Sequence, residues 1–319
     1  MPVNEFDFSA LKAYVTSSDD EALKQIAENQ GKRYVGSSSS MTSILAHFHF
    51  LLSQWRMIGT NMLSNEFPKS ASKSFTLIQK APIAVFLKWR DGTYAIDADK
   101  QYANANILMM LGKSMEKLLT MRKDDFERYR RSNGHEVPVE ERDGPESYHY
   151  STMGDFLMRS QLDAYDARLP GTGMFDLKTR AVVSVRMDAQ EVEKGMGYEI
   201  KTRQGAWESY EREYYDMIRT AMLKYSLQVR MGRMDGIFVA YHNTQRIFGF
   251  QYISLAEMDA ALHGQWDTTL GDQEFKVSLD LLNKVLDRAT KKYPEQVCLE
   301  NTFSLCTCSL LPTVPPHPF

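Results

Sequence analysis

Residues 160–187 read SQLDAYDARLPGTGMFDLKTRAVVSVRM, and the fold turns on how this stretch is divided. SQLDAYDARL alternates as a strand, Pro170-Gly171-Thr172-Gly173 has turn chemistry, and MFDLKTRAVVSV alternates again, which predicts a β-hairpin around Pro170 to Gly173. On the second strand, over 174–185, alternation puts Phe175, Leu177, Ala181, Val183 and Val185 on one face and Asp176, Lys178 and Arg180 on the other. A solvated outer face accounts for such a charged row. So does a site: Asp163 lies on the first strand, and two carboxylates and an ammonium can converge there, with the register left open by the sequence. Hard oxygen ligands of this kind suit magnesium. A cation held by few carboxylates and several waters would bind a scissile phosphate and sharpen a water as nucleophile. Lys178 would orient that water or offset developing negative charge.

Working outward, a third acid is expected on a helix before the hairpin. Glu116 in the helical stretch NANILMMLGKSMEKLL (104–119) is the candidate, with Gly112 allowing close packing one turn earlier; a solvent-facing helix residue reads the same way. After the hairpin, GYEIKTR (197–203) is a further strand candidate that repeats the acid-x-Lys-Thr-Arg pattern, so Asp176 with Glu199 and Lys201 is the second-ranked site. A long helix over 207–231 follows. Ile218, Ala221, Tyr225 and Gln228 share one of its faces, which places the Gln228 amide either among core partners or beside the acid-x-Lys strand. Arg212, Arg219, Lys224, Arg230 and Arg233, with Tyr210, Tyr214 and Tyr215, either track a nucleic-acid strand or form an ordinary solvated helix.

The remaining elements are read more coarsely. Residues 19–29 form a short helix with an acidic cap ending at Gly31, and the serines of 36–42 cap a second helix through 43–56. Strands over 83–89 and 93–96 flank Asp91-Gly92, a two-residue hairpin signal. The charged segment 122–146 reads as a helix end and an exposed loop, 237–242 and 246–253 as a strand pair, and 278–292 as a last amphipathic helix. Asp97 and Asp99 sit at a strand end and read as structural. His47 and His49 are two apart on a helix, so they are discounted as a joint metal site.

The 319 residues are 43% hydrophobic and 25% charged, which is ordinary globular composition. A formal charge of −3 excludes binding of nucleic acid by bulk attraction and requires local basic surface instead. The three cysteines, Cys298, Cys306 and Cys308, exclude a disulfide framework. No apolar run is long enough to span a bilayer, and MPVNEFDF lacks the Arg-rich, acid-poor character of a transit peptide. No G-x-S-x-G, H-E-x-x-H or Rossmann fingerprint is present.

The stretches GSSSSMTSILAHFHFLLSQWR (36–56), FLKWRDGTYAIDADK (86–100), ILMMLGKSMEKLL (107–119), the hairpin itself and GYEIKTRQGAWESYEREYYDMIRTAMLKYSLQVRMGRMDGIFVAYHNT (197–244) resemble the fungal mitochondrial PET one-two-seven family. The similarity runs from about Arg33 to Gln296 and fades in the tail after it. The resemblance implies an α/β fold with a PD-(D/E)xK restriction-endonuclease-like core, a mixed central sheet flanked by helices and an N-terminal helical and hairpin elaboration. Residues 1–100 would form that elaboration, 101–296 the core and 297–319 a divergent, poorly ordered tail. It further implies a 5′ to 3′ exoribonuclease dependent on Mg2+ or Mn2+, acting on single-stranded RNA in 5′-end processing and turnover by metal-activated water attack. The setting would be mitochondrial, at the inner membrane or its RNA-handling machinery. Carried over, the family pattern supports Asp163 and the Asp176-Leu177-Lys178 motif directly, and Glu116 and Gln228 less directly. Glu116, Asp163 and Asp176 are then the metal ligands. The alternative is a non-catalytic RNA-binding or adaptor protein that couples processing to translation or stimulates another nuclease.

Overall fold

The computed structural model of the chain describes residues 1–12, 14–99, 107–133, 137–138, 147–187, 197–294 and 296–300. In chain order the described elements are α1 (Glu21–Asn29), β1 (Tyr34–Ser37), α2 (Ser38–Leu52), α3 (Leu77–Lys80), β2 (Ala84–Arg90), β3 (Thr93–Ala98), α4 (Ile107–Thr120), α5 (Lys123–Glu127), β4 (Tyr148–Met153), β5 (Phe156–Gln161), β6 (Ala164–Tyr165), β7 (Met174–Ala181), α6 (Val183–Met187), α7 (Tyr210–Thr220), α8 (Met222–Gly232), β8 (Gly236–His242), β9 (Ile247–Ser254), α9 (Leu255–His263), α10 (Thr269–Lys292) and β10 (Gln296–Glu300). Among the described residues no helix is long and apolar enough to cross a membrane.

The strands form two mixed sheets, and the α/β class expected from the sequence is the one observed. One sheet runs β10-β2-β3-β1-β5-β4 and the other β6-β7-β8-β9. In the first, β1 is parallel to both β3 and β5. In the second, β7 and β8 are parallel and the outer pairs antiparallel. The large sheet thus joins strands from both sides of residue 100, and β10 lies antiparallel along β2. Residues 301–319, with Cys306 and Cys308, fall outside the described residues.

Local chemistry explains the elements that form as expected. Asp91 and Gly92 both take positive φ, 49° and 91°, as a two-residue hairpin turn requires between β2 and β3. Asp20 caps α1 by accepting from Leu23 N, and Ser37 and Ser40 form a reciprocal capping box at α2. α2 and α8 are the spine of the core. α2 packs on β1, β3 and β5, while α8 packs on β4 and β5 of one sheet and on β8 of the other. The main core accordingly unites Tyr34, Leu45, Leu87 and Phe156 with Met217, Leu227, Ile237 and Tyr241.

Four readings are corrected. The predicted strand over 174–185 ends at Ala181, because Glu213 Oε1 accepts the Val183 N–H at 2.8 Å and Arg186 Nε closes the turn onto Ala181 O at 2.7 Å, starting α6. GYEIKTR is not a strand: Lys201 N and Thr202 N donate to Glu208 O, so the segment folds back on its own loop and finds no sheet partner. The single helix over 207–231 is two, broken at Ala221 (φ −138°), where Thr220 Oγ1 donates to the Asp216 carbonyl at 2.7 Å and bends the chain. SQLDAYDARL is divided between sheets, since Ser160 and Gln161 end β5 while only Ala164 and Tyr165 pair with β7. The helix read over 104–119 starts at Ile107 among the described residues, and 134–136 and 139–146 of the charged segment lie outside them.

Candidate active site

Leu162 and Asp163 carry the chain from the end of β5 to β6, so Asp163 sits where the path leaves one sheet for the other. The antiparallel register Ala164↔Phe175, continued one step, sets Asp163 opposite Asp176. The Leu177 N–H donates to Asp163 Oδ2 at 3.0 Å, which fixes that carboxyl against β7. Asp176 is 5% exposed, and its Oδ2 lies 2.6 Å from Lys178 Nζ. Lys178 stands over the Tyr225 ring of α8, 5.3 Å from its centroid. The charged row of β7 is therefore the buried face of the strand, and the solvated-face reading fails.

Two carboxyls this close cannot both ionise at ordinary cost. Burial, then the hydrogen bond to Asp176 and its negative charge, hold the Asp163 carboxyl far above the usual carboxylate range, against the opposing pull of Lys178 and the Leu177 N–H. The Lys178 ammonium is pressed downward by burial, yet the charges of Asp176 and Asp163 and the Tyr225 hydroxyl hold its pKa above the usual value. The pair carries one ammonium against two acids. Without a further cation it must keep a proton, and a divalent ion would replace that proton with a better-matched charge. The oxygen donor set and this charge deficit fit magnesium or manganese.

The contacts that join directly are those of Asp163, Asp176 and Lys178; Glu116 and Gln228 are placed by the packing of their helices. α4 lies against β7, and a Cβ on Gly112 would come within 3.3 Å of Thr179 Oγ1, the close approach that a glycine permits. Glu116, one turn further along the same helix face, is half-buried. Gln228 Oε1 on α8 is buried with no hydrogen-bond partner among the described residues, one turn from Tyr225. The second-ranked pair does not assemble with Asp176: Glu199 pairs with Arg246 at 3.1 Å and Lys201 with Glu208 at 2.8 Å, both on the surface.

Sequence reading missed the group next along β7. Arg180, 5% exposed, continues the buried row and lies 3.9 Å from Glu213, which is fully buried. Glu213 also binds Arg186 at 2.9 Å, and Asp216 binds Arg212 at 3.0 Å. Burial first, then the Arg186 charge, bring the Arg180 guanidinium down to about 10, and its Nε–H reaches Glu213 as an ion pair but makes no hydrogen bond. The available signal was the pair of acids Glu213 and Asp216 on a helix whose Met217 and Ile218 are core residues. Most of the polar groups on this helix pair are engaged within the fold. Tyr214 donates to Glu257, Tyr215 to Ser72 O, Arg219 to Ser74 O, and Arg230 binds Asp259 and Asp272.

Comparison with known proteins adds a lineage. The sequence profile described as "Mitochondrial protein Pet127" matches residues 14–287. The chain is 41% identical over 304 residues to the "mRNA degradation protein pet127, mitochondrial" of Schizosaccharomyces pombe, covering 93% of this chain and 57% of that protein. It is 43% identical over 261 residues to the "putative mitochondrial translation system component PET127" of Saccharomyces cerevisiae, covering 80% of this chain and 31% of the relative. Among solved structures, a mutant Rai1 of Schizosaccharomyces pombe in complex with 3′-FADP has a TM-score of 0.47 at 11% identity, over 94% of this chain and 79% of that one. Candida albicans Rai1 in complex with pU5-Mn2+ has a TM-score of 0.40 at 11% identity, over 94% and 77%.

Proposed function

Because the chain belongs to the Pet127 family of mitochondrial proteins, we propose that it is a metal-dependent nuclease of the PD-(D/E)xK type that degrades single-stranded RNA from the 5′ end, in 5′-end processing and turnover. The observation that carries this reading is the half-buried Asp163 set against the buried Asp176, with a single Lys178 beside them. Such a pair is costly as structure and useful as a cation site. A bound Mg2+ or Mn2+ would supply Lewis acidity to a phosphodiester and lower the pKa of a water.

The chain's own residues do the rest. Asp163 and Asp176 hold the cation, with Asp163 fixed by the Leu177 amide. Glu116 on α4 completes the acid set, and Gln228 uses its unpartnered amide oxygen to align the β7 strand or a bound water. Lys178, kept protonated by its acidic neighbours, donates to the phosphate oxygen on which negative charge grows. Arg180, one step along the same row, is held by Glu213 and anchors the strand beside the site. Backbone phosphates and stacked bases offer the same contacts whatever the order of bases, so action independent of sequence is expected. The mitochondrial setting is inferred from the names of the relatives, whose full length this chain spans only in part. Inner-membrane association draws no support from the described elements.

The name of the Saccharomyces cerevisiae relative favours a second reading, an RNA-binding or adaptor role in translation. Purified chain incubated with 5′-labelled and 3′-labelled single-stranded RNA, with magnesium, manganese or chelator, separates the two. Metal-dependent release of the 5′ label first, reduced roughly 10³-fold or more in folded Asp176→Asn, is expected. Decay that is unchanged in Asp176→Asn, or none by folded wild type, defeats the catalytic assignment.

A further inference from the structure

Away from the acid pair, three helices bring a second set of donors together. His49 lies in the last turn of α2, His263 is the last residue of α9, and Glu274 is in the second turn of α10. The two imidazoles are buried, with centroids 5.3 Å apart and planes at 80°. His49 Nδ1 is 2.7 Å and His263 Nδ1 3.4 Å from the same oxygen, Glu274 Oε2. One ligand atom from each residue falls within 4.8 Å of the others.

Hydrogen counting leaves lone pairs in this group open to a cation. Arg56 Nη1 lies 3.2 Å from His263 Nδ1, and a guanidinium only donates, so Nδ1 presents a lone pair and the ring proton sits on Nε2, facing Asp259 Oδ1 at 3.6 Å. In that tautomer no ring proton lies between His263 Nδ1 and Glu274 Oε2, 3.4 Å apart, and a cation there takes the lone pair that Arg56 now donates to. His49 has one nitrogen on Glu274, and its Nε2 is buried with no partner. Glu274 faces the Arg56 guanidinium and Asp259 faces Arg230, while Asp272, also on Arg230, stands 43% exposed at the edge of the cluster.

We propose that His49, His263 and Glu274 form a second metal site, separate from the acid pair, that takes a zinc-class divalent cation through two imidazole nitrogens and one carboxylate oxygen. Two histidines and a carboxylate are a donor set that zinc favours over magnesium. Groups that orient such ligands are in place: Asp259 stands behind His263, and Arg56 Nη2 binds the outer oxygen Glu274 Oε1 at 2.8 Å. The adjoining cavity of about 10 Å³, between α8 and α10, holds one water at most. No phosphodiester reaches it, so the ion is structural. It ties α2, which packs on the large sheet, to the helices that follow β9 of the small one.

The test is metal analysis of the full chain purified without a polyhistidine tag and dialysed, alongside Asp176→Asn, His263→Gln, Glu274→Gln and His47→Ala. About one zinc per chain is expected in wild type, Asp176→Asn and His47→Ala, with its loss in His263→Gln and Glu274→Gln. His47, on the same helix as His49, is the control because its Nε2 is engaged with Ala81 O, just after α3. Replacing the ion with cobalt(II) in the wild type is expected to give the visible absorption of a low-coordinate nitrogen and oxygen site, a readout that does not depend on any variant folding. Zinc-free wild type that binds added zinc no better than Glu274→Gln, or cobalt with only the spectrum of the aqueous ion, overturns the proposal. Because Asp176→Asn keeps the site, failure here and failure of the nuclease reading are distinguishable.

Discussion

The buried row of β7 holds two charged groups side by side, and they are built in opposite ways. Around Glu213, signs alternate: its carboxylate, 0% exposed, takes the Val183 N–H and Arg186, with Arg180 close by, and Asp216 takes Arg212. Two residues away along the strand, Asp163 and Asp176 face each other with Lys178 as their one cation. In both, the central carboxylate is buried, Glu213 in one and Asp176 in the other, with half-buried groups around it. The first is closed on itself, as a buried charge in a fold must be, whereas the second is left unbalanced until something outside the chain completes it. Electrostatic imbalance therefore marks the end of the strand proposed as the site, and the paired end anchors it.

That contrast can be broken from either side. Glu213→Gln is expected to destabilise the protein by about 3–5 kcal/mol, because it leaves Arg180 and Arg186 without their buried partner; urea unfolding measures it. A loss within the range of ordinary surface substitutions would mean that the anchor is dispensable. Lys178→Ala is expected to lower turnover by roughly 10²–10³-fold with little change in metal affinity, as removal of one charge-stabilising donor does. Single-turnover RNA decay and metal titration read it, and a collapse of metal binding instead would reassign Lys178 to holding the cation.

Asp163→Asn is expected to act with the opposite sign on stability. The folded-state pKa of Asp163 lies above its unfolded value, so its contribution to stability is intact below the unfolded pKa and is lost as pH rises toward the folded one. Removing the charge should stabilise metal-free protein by about 1–2 kcal/mol at pH 8 and not at pH 3, while abolishing activity. Thermal melts in chelator at the two pH values measure this. Equal effects at both would show that Asp163 ionises freely.

The sequence made the strained end legible and the anchored end nearly invisible, for a physical reason. Asp163, Asp176 and Lys178 lie within one hairpin, so alternation and a turn suffice to bring them together. The Asp91-Gly92 turn and the Ser37 cap are local in the same way. Arg180 meets Glu213 across 33 positions through a side-chain contact between β7 and α7, and no local pattern encodes that. β1 and the β4–β5 hairpin escaped notice for a related reason: β1 is four buried residues paired on both sides, and Gly154 (φ 54°) turns a hairpin whose β4 is only half-buried. The same limit hid the meeting of His49 with His263 and Glu274, while His47 turns instead to Ala81 O.

The most direct test of the central claim is calorimetric titration of Mg2+ or Mn2+ into metal-free protein in buffers of different ionisation enthalpy, near pH 7. If Asp163 and Asp176 share a proton that the cation displaces, wild type should bind with release of up to about one proton, and Asp163→Asn and Asp176→Asn should lose both the binding and the release. Magnesium binding of equal strength in wild type and both variants, without proton release, would contradict the account.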